Sequence, residues 1–561
     1  MPASTDVTTF PPRNRGGLCG LAALGLLVAA GLLHLWYLID HCPLDLSGDE
    51  AHYWEWSRRL DWSYYSKGPL VAYIIALGRC LLAGWSERVV GNEALAVRVP
   101  AILLSIGTGL GVYTLALRTL GRPRLALGAV ALTCTIPVLA AGAMLLTIDA
   151  PLAFCYVWAL IACVRGLRGP TTAPWLVAGV LIALGFLAKF TMLLIFPVVA
   201  LAILTEPDFR ATLRRAGPYL ATLIGLCGLV PIVMWNSQHN WVSLRHVAGQ
   251  AGVAHRATFS FAGPLEFFAG QAAVVGPIWF GAMICAVVAL WRRAEPWARE
   301  QHSAAELRLL LYATVVPWAV FLAFSPITKV QPNWPVLSVL PGCIALALWL
   351  SRLLRERGSE AHRWGRALVT TGSFVGVATV LLLHFTSVLM PVFAWLARSA
   401  PPWSETPVAK YDPTARLRGW SQLGAAVGRQ LAAQRAAGRD PFIVTDDYQV
   451  ASEIAFYCPG EPNVYCLQSV LGDRESQYDL WPNPIRDARR FIGRPCLYVG
   501  VRKPELFGGG AFQHAVLRGT RLAETVEHRV RGQLLHAWSV YACDEFAGVP
   551  PELLRRLGRK Y

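Results

Sequence analysis

GLCGLAALGLLVAAGLLHLWYLI, residues 17–39, is a run of 23 residues without a single acid, lysine or arginine. A membrane-crossing helix needs about 20 such residues, so this stretch reads as a first span. Its length and the lack of a small-residue cleavage site set it apart from a cleavable signal peptide. Similar runs recur, and eleven spans are expected: 17–39, 98–117, 125–143, 149–164, 173–189, 190–205, 216–235, 265–291, 308–324, 335–351 and 367–395. The runs are continuous, whereas outer-membrane barrel strands alternate apolar and polar residues.

Composition agrees. Of 561 residues, 55% are hydrophobic and 15% charged, with a mean hydropathy of +0.42. Soluble domains carry about 25% charged residues, and their cores stop growing at roughly 250–300 residues. A soluble enzyme, a disordered chain and a disulfide-stapled secreted domain are therefore excluded. The net charge of +16 comes from 51 basic residues, nearly all arginine. Nineteen arginines, among them Arg118, Arg165, Arg168, Arg215, Arg308 and Arg352, fall before span 1 or in alternate loops, against eight acids. Cytoplasmic loops collect basic residues. Topology, not nucleic acid, thus accounts for the charge, with the N-terminus inside and the C-terminus outside.

Two parts are expected, a membrane part over 1–398 and a small α/β domain over 399–561 on the outer face. "PFIVTDDY" (441–448) reads as a strand and "QVASEIAFYC" (449–458) as the helix after it; "PNVYCL", "PCLYVGV" and "LLHAWSVYAC" read as further strands. Cys458, Cys466, Cys496 and Cys543 lie in this part, where one or two disulfides have room in an oxidising compartment. No zinc spacing is present.

The outer loop 40–97, "DHCPLDLSGDEAHYWEWSRRLDWSYYSKGPLVAY…", is far longer than an ordinary connection. Its Tyr53, Trp54 and Trp56 are expected at the membrane interface, where aromatic residues anchor. Only six lysines exist in the chain. Three, Lys67, Lys189 and Lys329, fall at outer membrane edges, where an ammonium suits a phosphate or snorkels at a helix end. Asp49, Glu50 and Asp149 share that face; Asp149 also has the position of a helix N-cap. His239 and His246 lie in an outer loop, where a lone histidine is more often structural. Lysines and carboxylates at the outer leaflet suit a lipid-phosphate substrate. Sugar transfer from it needs a base for the acceptor hydroxyl, positive charge on the leaving phosphate and in-line placement. One-step displacement inverts the anomeric carbon.

The pattern "GDEAHYWEWSRRLDWSYYSKGPLVAYII", with "LLTIDAPLAF", "GFLAKFTMLLIFP", "WNSQHNWVSLRH", "KVQPNWPV" and "DPTARLRGWSQL…YQVASEIAFYCPG", resembles the type C, multi-spanning glycosyltransferases. It is most similar to the bacterial branch related to the aminoarabinose–lipid A, lipopolysaccharide-core galacturonosyl and protein O-mannosyl transferases. The resemblance implies a polytopic α-helical protein of the bacterial inner membrane that moves a sugar from a polyprenyl-phosphate donor to an envelope glycan, lipid or protein at the periplasmic face. It implies Asp49 and Asp149 as catalytic carboxylates and Lys67 as a donor-phosphate ligand; their scarcity and place on the same face make Lys189 and Lys329 the further expected phosphate ligands. Substrate contacts are expected from Glu50, Tyr64, Tyr65, His239 and Asn333. Lys67-Gly68-Pro69 departs from the Lys-Pro-Pro usual in the aminoarabinose transferases. Some relatives bind a divalent metal, and no His or Cys set here assigns one. The rival functions are a transporter or flippase of a lipid-linked sugar, though no repeated halves are seen, and a scaffold without chemistry. The C-terminal domain is expected to serve the acceptor side, with no catalytic arrangement in "TDDY" or "LGDRESQYDLW".

Overall fold

The computed structural model describes residues 14–250, 259–298, 304–355, 357–399, 407–471, 473–500 and 516–554. The residues 400–402 expected to end the membrane part lie outside them, as do Arg13, Arg299, Glu300 and Glu356 of the charge argument. Among the described residues eight helices are long and apolar enough to cross a membrane, and counting each of three bent pairs as one span brings the number to eleven. The core of the bundle is the Asp149–Arg168 and Val336–Leu353 helices, which are buried nearly all round. By contrast, the Gly16–His41 and Glu360–His384 helices leave most of their apolar side chains exposed, as a lipid-facing helix does.

The eleven differ in detail from those expected. Leu70–Val90, expected as loop, is a 21-residue helix. Its buried face recurs at Val71, Ala72, Ile75, Gly78 and Ser86, with Arg79 held by Glu93 at 2.5 Å, an amphipathic pattern that a search for uniform apolar runs passes over. The expected spans 125–143 and 265–291 break at Pro137 and at Gly276-Pro277, bending by 73° and 109°, because proline ends the preceding hydrogen-bond ladder. The 173–189 and 367–395 runs are the Ala173–Ala188 helix, and Glu360–His384 followed by a separate Met390–Arg398 helix.

One end of the bundle is basic. Arg168 pairs with Glu306, Arg308 with Glu206 at 2.7 Å, and Arg215 donates to the Gly169 carbonyl. These ties gather loops that alternate in sequence, as the charge pattern required. The Asp149–Arg168 helix carries Asp149 at its first residue and its arginines in its last turn. Asp149 therefore sits at the opposite end of the bundle.

Above that end lies a five-stranded sheet of order β2-β1-β3-β6-β5. Here β1 is Phe442–Thr445, β2 Val464–Cys466 and β3 Cys496–Gly500; β4 is Leu517–Arg518, β5 Arg521–Val530, β6 Gln533–Cys543 and β7 Glu545–Phe546. β2, β1 and β3 run parallel, and β6 and β5 are antiparallel. A tight turn at Arg531-Gly532, both with positive φ, joins β5 to β6 as right-handed strand twist demands. Cys496 pairs across to Cys543, and all four cysteines of this region are buried free thiols.

Trp54 and Trp56 are fully buried and Tyr53 nearly so. They do not anchor in a membrane interface. The Gly48–Ser57 helix packs them into one core with Val450, Ile454 and Phe456 of the Tyr448–Tyr457 helix. The first loop is stitched along its length to the C-terminal part: Asp45 N–H to the Leu417 carbonyl, Leu46 N–H to Tyr457 Oη, His52 Nδ1 with Ser452 Oγ, and Arg59 to Asn463.

Candidate active site

Four of the acids and lysines expected to meet do meet. The Gly48–Ser57 helix opens with a capping box, Ser47 Oγ accepting from Glu50 N–H and Glu50 accepting from Ser47 N–H. Asp49 thereby stands on the first turn, facing a crevice of about 130 Å³. Lys67 enters the same crevice from the loop before Pro69. Gly68 explains how: a Cβ there would lie 2.2 Å from the Leu187 carbonyl oxygen, so only glycine lets this loop press on the chain just before Lys189. Lys189 Nζ bonds Asp149 Oδ1 at 2.7 Å, and Asn333 Nδ2 donates to Asp149 Oδ2 at 2.7 Å. Asp149 is thus clamped by two donors and caps no helix.

The cluster has two sides. Asp149 and Asn333 stand at the polar end of an apolar cavity of about 590 Å³. Apolar side chains, chiefly of the 14–36, 94–120, 137–144 and 360–384 helices, line most of the rest, with His34, Ser105, Thr108, Thr133, His384 and Arg416 also on its wall. On the other side is the crevice, with Asp49, His52, Tyr53, Tyr65, Lys67, His246, Gln250, Tyr448 and the stretch Arg474–Gln477 on its walls. Burial first, then the Lys189 ammonium, pushes Lys67 down to about 8, against the pull of Asp49 and Asp149. Burial and the Arg474 guanidinium hold His52 and His246 near 3, so both rings are neutral.

Other expected contacts are structural. Glu50 is fully buried, paired with Arg98 at 3.2 Å, and accepts from Leu146 N–H at 3.0 Å. It joins the Asp49 helix to the chain leading into Asp149 and does not face the crevice. Tyr64 is fully buried, stacked on Trp56 with its hydroxyl on the Trp56 carbonyl. His239 stacks on Trp235 and lines neither cavity. Lys329 is exposed and, among the described residues, makes no contact with the cluster; the Asn333 turn that follows does. Tyr65, expected as a substrate contact, lines the crevice, its N–H on Gln477 Oε1 at 2.7 Å. Arg474, Tyr448 and Gln477, from the C-terminal part, were not signalled by the sequence, since nothing local marks a surface loop as the roof of a distant crevice. Among the described residues no group of three or more His, Cys, Asp or Glu side chains gathers in a metal-ligating arrangement.

Known proteins match this chain at three levels. The sequence model of the family "Dolichyl-phosphate-mannose-protein mannosyltransferase" matches residues 66–235, which hold Lys67, Asp149 and Lys189. The chain is 28% identical to the lipid A galacturonosyltransferase RgtD of Rhizobium johnstonii over 361 residues, 64% of this chain and 70% of that protein. In fold it is similar to ArnT from Cupriavidus metallidurans, solved bound to undecaprenyl phosphate and in the apo state, with TM-scores of 0.59 and 0.55. Sequence identity is 17% in both cases, over 94% of this chain and 99% of that one. With this fold, this sequence match and a carboxylate–lysine cluster at one end of the helix bundle, the chain is similar in sequence and in fold to the type C, multi-spanning membrane glycosyltransferases.

Proposed function

We propose that the protein transfers one sugar from a polyprenyl phosphate to a hydroxyl of an envelope lipid or glycan, on the outer face of the bacterial inner membrane. The observation that carries this is the placement of Lys67, Lys189 and Asp149 between a long apolar cavity and a small polar crevice. The polyprenyl chain lies in the apolar cavity. Its phosphate meets Lys67 and Lys189, whose charge stabilises the leaving anion. Asp149 and Asn333 hold Lys189 in place. Asp49, which among the described residues makes no ion pair, takes the proton of the acceptor hydroxyl as that oxygen attacks the anomeric carbon. Base and phosphate ligands stand on separate elements around one crevice, which suits a single displacement with inversion. The lipid A activity named for the relative and the undecaprenyl phosphate bound to ArnT support a lipid A-like acceptor and a polyprenyl donor.

Reconstituted vesicles test this. Wild type moves labelled sugar from polyprenyl phosphate to acceptor lipid, and Asp49→Asn lowers kcat about 10²- to 10⁴-fold with an unchanged Tm. Flipping of the labelled donor without transfer contradicts the reading and favours a transporter.

A further inference from the structure

β1 is the topological switch of the C-terminal sheet, with β2 and β3 parallel to it on either side. In open parallel sheets ligands bind outside the carboxyl ends of the strands at such a point. Here that edge forms a wall of the crevice. Tyr448 follows the end of β1, and Arg474, Ser476 and Gln477 follow β2. Their backbone is pinned: Tyr448 N–H donates to Gln468 Oε1 at 2.9 Å, and Ser476 N–H to Asp479 Oδ2 at 2.7 Å. The Arg474 guanidinium lies 5.1 Å from the centre of the Tyr448 ring and donates to its hydroxyl at 3.0 Å.

We infer that this strand-end edge is a saccharide subsite, in which Arg474, steadied on Tyr448, takes the anionic group of the sugar unit bound beside Asp49. That group is a carboxylate or a phosphate, on the transferred sugar or on the acceptor. The inference rests on the glycosyltransferase reading and adds the chemistry of the sugar.

Size, shape and charge support it. A crevice of about 130 Å³ holds about four waters at their liquid share of ~30 Å³ each, room for one charged edge of a sugar ring. Tyrosine rings and the Gln477 amide offer the mixed apolar and hydrogen-bonding surface that a pyranose presents in return. Arg474 acts electrostatically on Lys67, His52 and His246, lowering all three. Glu475 also lines the crevice. Asp49 opposes Arg474 at Tyr53 and at Tyr448, joined by Asp149 at the first and by Asp447 at the second. A guanidinium in this setting binds a planar anion through two parallel hydrogen bonds, which lysine cannot do.

The test uses the full chain in nanodiscs and compares wild type, Arg474→Gln and Arg474→Lys, each checked for Tm. One arm sets a polyprenyl phosphate carrying a hexuronic acid against one carrying the matching neutral hexose. The other arm sets an acceptor glycolipid with its phosphates against the same lipid without them. Wild type is expected to favour the anionic substrate in one arm, and that arm identifies which partner carries the anion. Arg474→Gln is expected to shrink the ratio of kcat/KM between anionic and neutral substrate about 10- to 100-fold, and Arg474→Lys to shrink it less. No preference in either arm overturns the inference, as does an equal loss on charged and neutral substrates. If wild type transfers from no donor at all, the reading of function fails. The subsite is then judged by Tm with free hexuronic acid and hexose 6-phosphate against neutral hexose. A rise with either anion that Arg474→Gln abolishes supports it, and the absence of such a rise overturns it.

Discussion

Asp49 and Asp149 both stand near lysines, yet their surroundings give them different work. Asp149 bonds Lys189 and Asn333 through its two oxygens and is placed to aim the lysine ammonium. Asp49 lines the crevice and is the residue to which the proposed reaction gives the proton. Lys67 sets the pH range. Its ammonium, lowered to about 8, is charged below that pH and neutral above it. The account therefore expects kcat/KM for the donor to be flat up to about pH 8 and then to fall about tenfold per pH unit, since kcat/KM reports the free enzyme. Lys67→Arg should carry this limb above the accessible range, because arginine stays protonated. A limb unmoved in that variant would assign it to another group. At this scale the sequence was informative where a residue type was scarce. Lysine is rare in this chain, so Lys67 and Lys189 stood out, and the acids on their face followed. It misled where burial decides the role. Nothing in "DE" or "YY" tells that Glu50 and Tyr64 face inward while Asp49 and Tyr65 line the crevice, since partners far along the chain, Arg98 and Gln477, set those directions.

Among the elements, the short connection Ser66–Pro69 does the most to assemble the site. Its glycine touches the backbone at Leu187, so the two lysine-bearing segments are held together by contact of main chains. Gly68→Ala should force them apart, costing about 1–3 kcal/mol and lowering kcat/KM together with Tm. Gly84→Ala, in the Leu70–Val90 helix with open space around its Cβ, should keep activity and hold or raise Tm, as alanine favours helix by about 1 kcal/mol over glycine. Equal behaviour of the two variants would remove the contact from the argument. The Leu70–Val90 helix itself escaped sequence reading because half of it is packed on the Ala94–Leu120 helix and only half is open, while the uniformly apolar runs on either side of the chain were plain. Strands β1, β2, β3 and β6 were legible from short β-branched and aromatic runs. β5, "RLAETVEHRV", breaks its apolar residues up with arginine and glutamate on a mostly exposed edge and gave no such signal.

Across the whole molecule, the C-terminal part and the first outer loop form one packed unit, with Trp54 and Trp56 inside it and the Arg474 loop over the crevice. Sequence reading separated them because they are some 400 residues apart in the chain, and aromatic residues next to a membrane have an ordinary explanation as anchors. The unit stands at the end of the bundle opposite the arginine-rich loops. The crevice thereby lies at the end away from the arginine-rich loops. Asp49 and Lys67 line a single crevice, and the proposed reaction has them act on the same reacting sugar. The most direct measurement is a double-mutant cycle in single-turnover transfer, comparing wild type, Asp49→Asn, Lys67→Met and the double variant in nanodiscs. Residues that act as a unit lose most of their effect together. The double variant is therefore predicted to be little slower than the slower single one. Losses that multiply in full would show that the two side chains act independently, and would contradict the shared site.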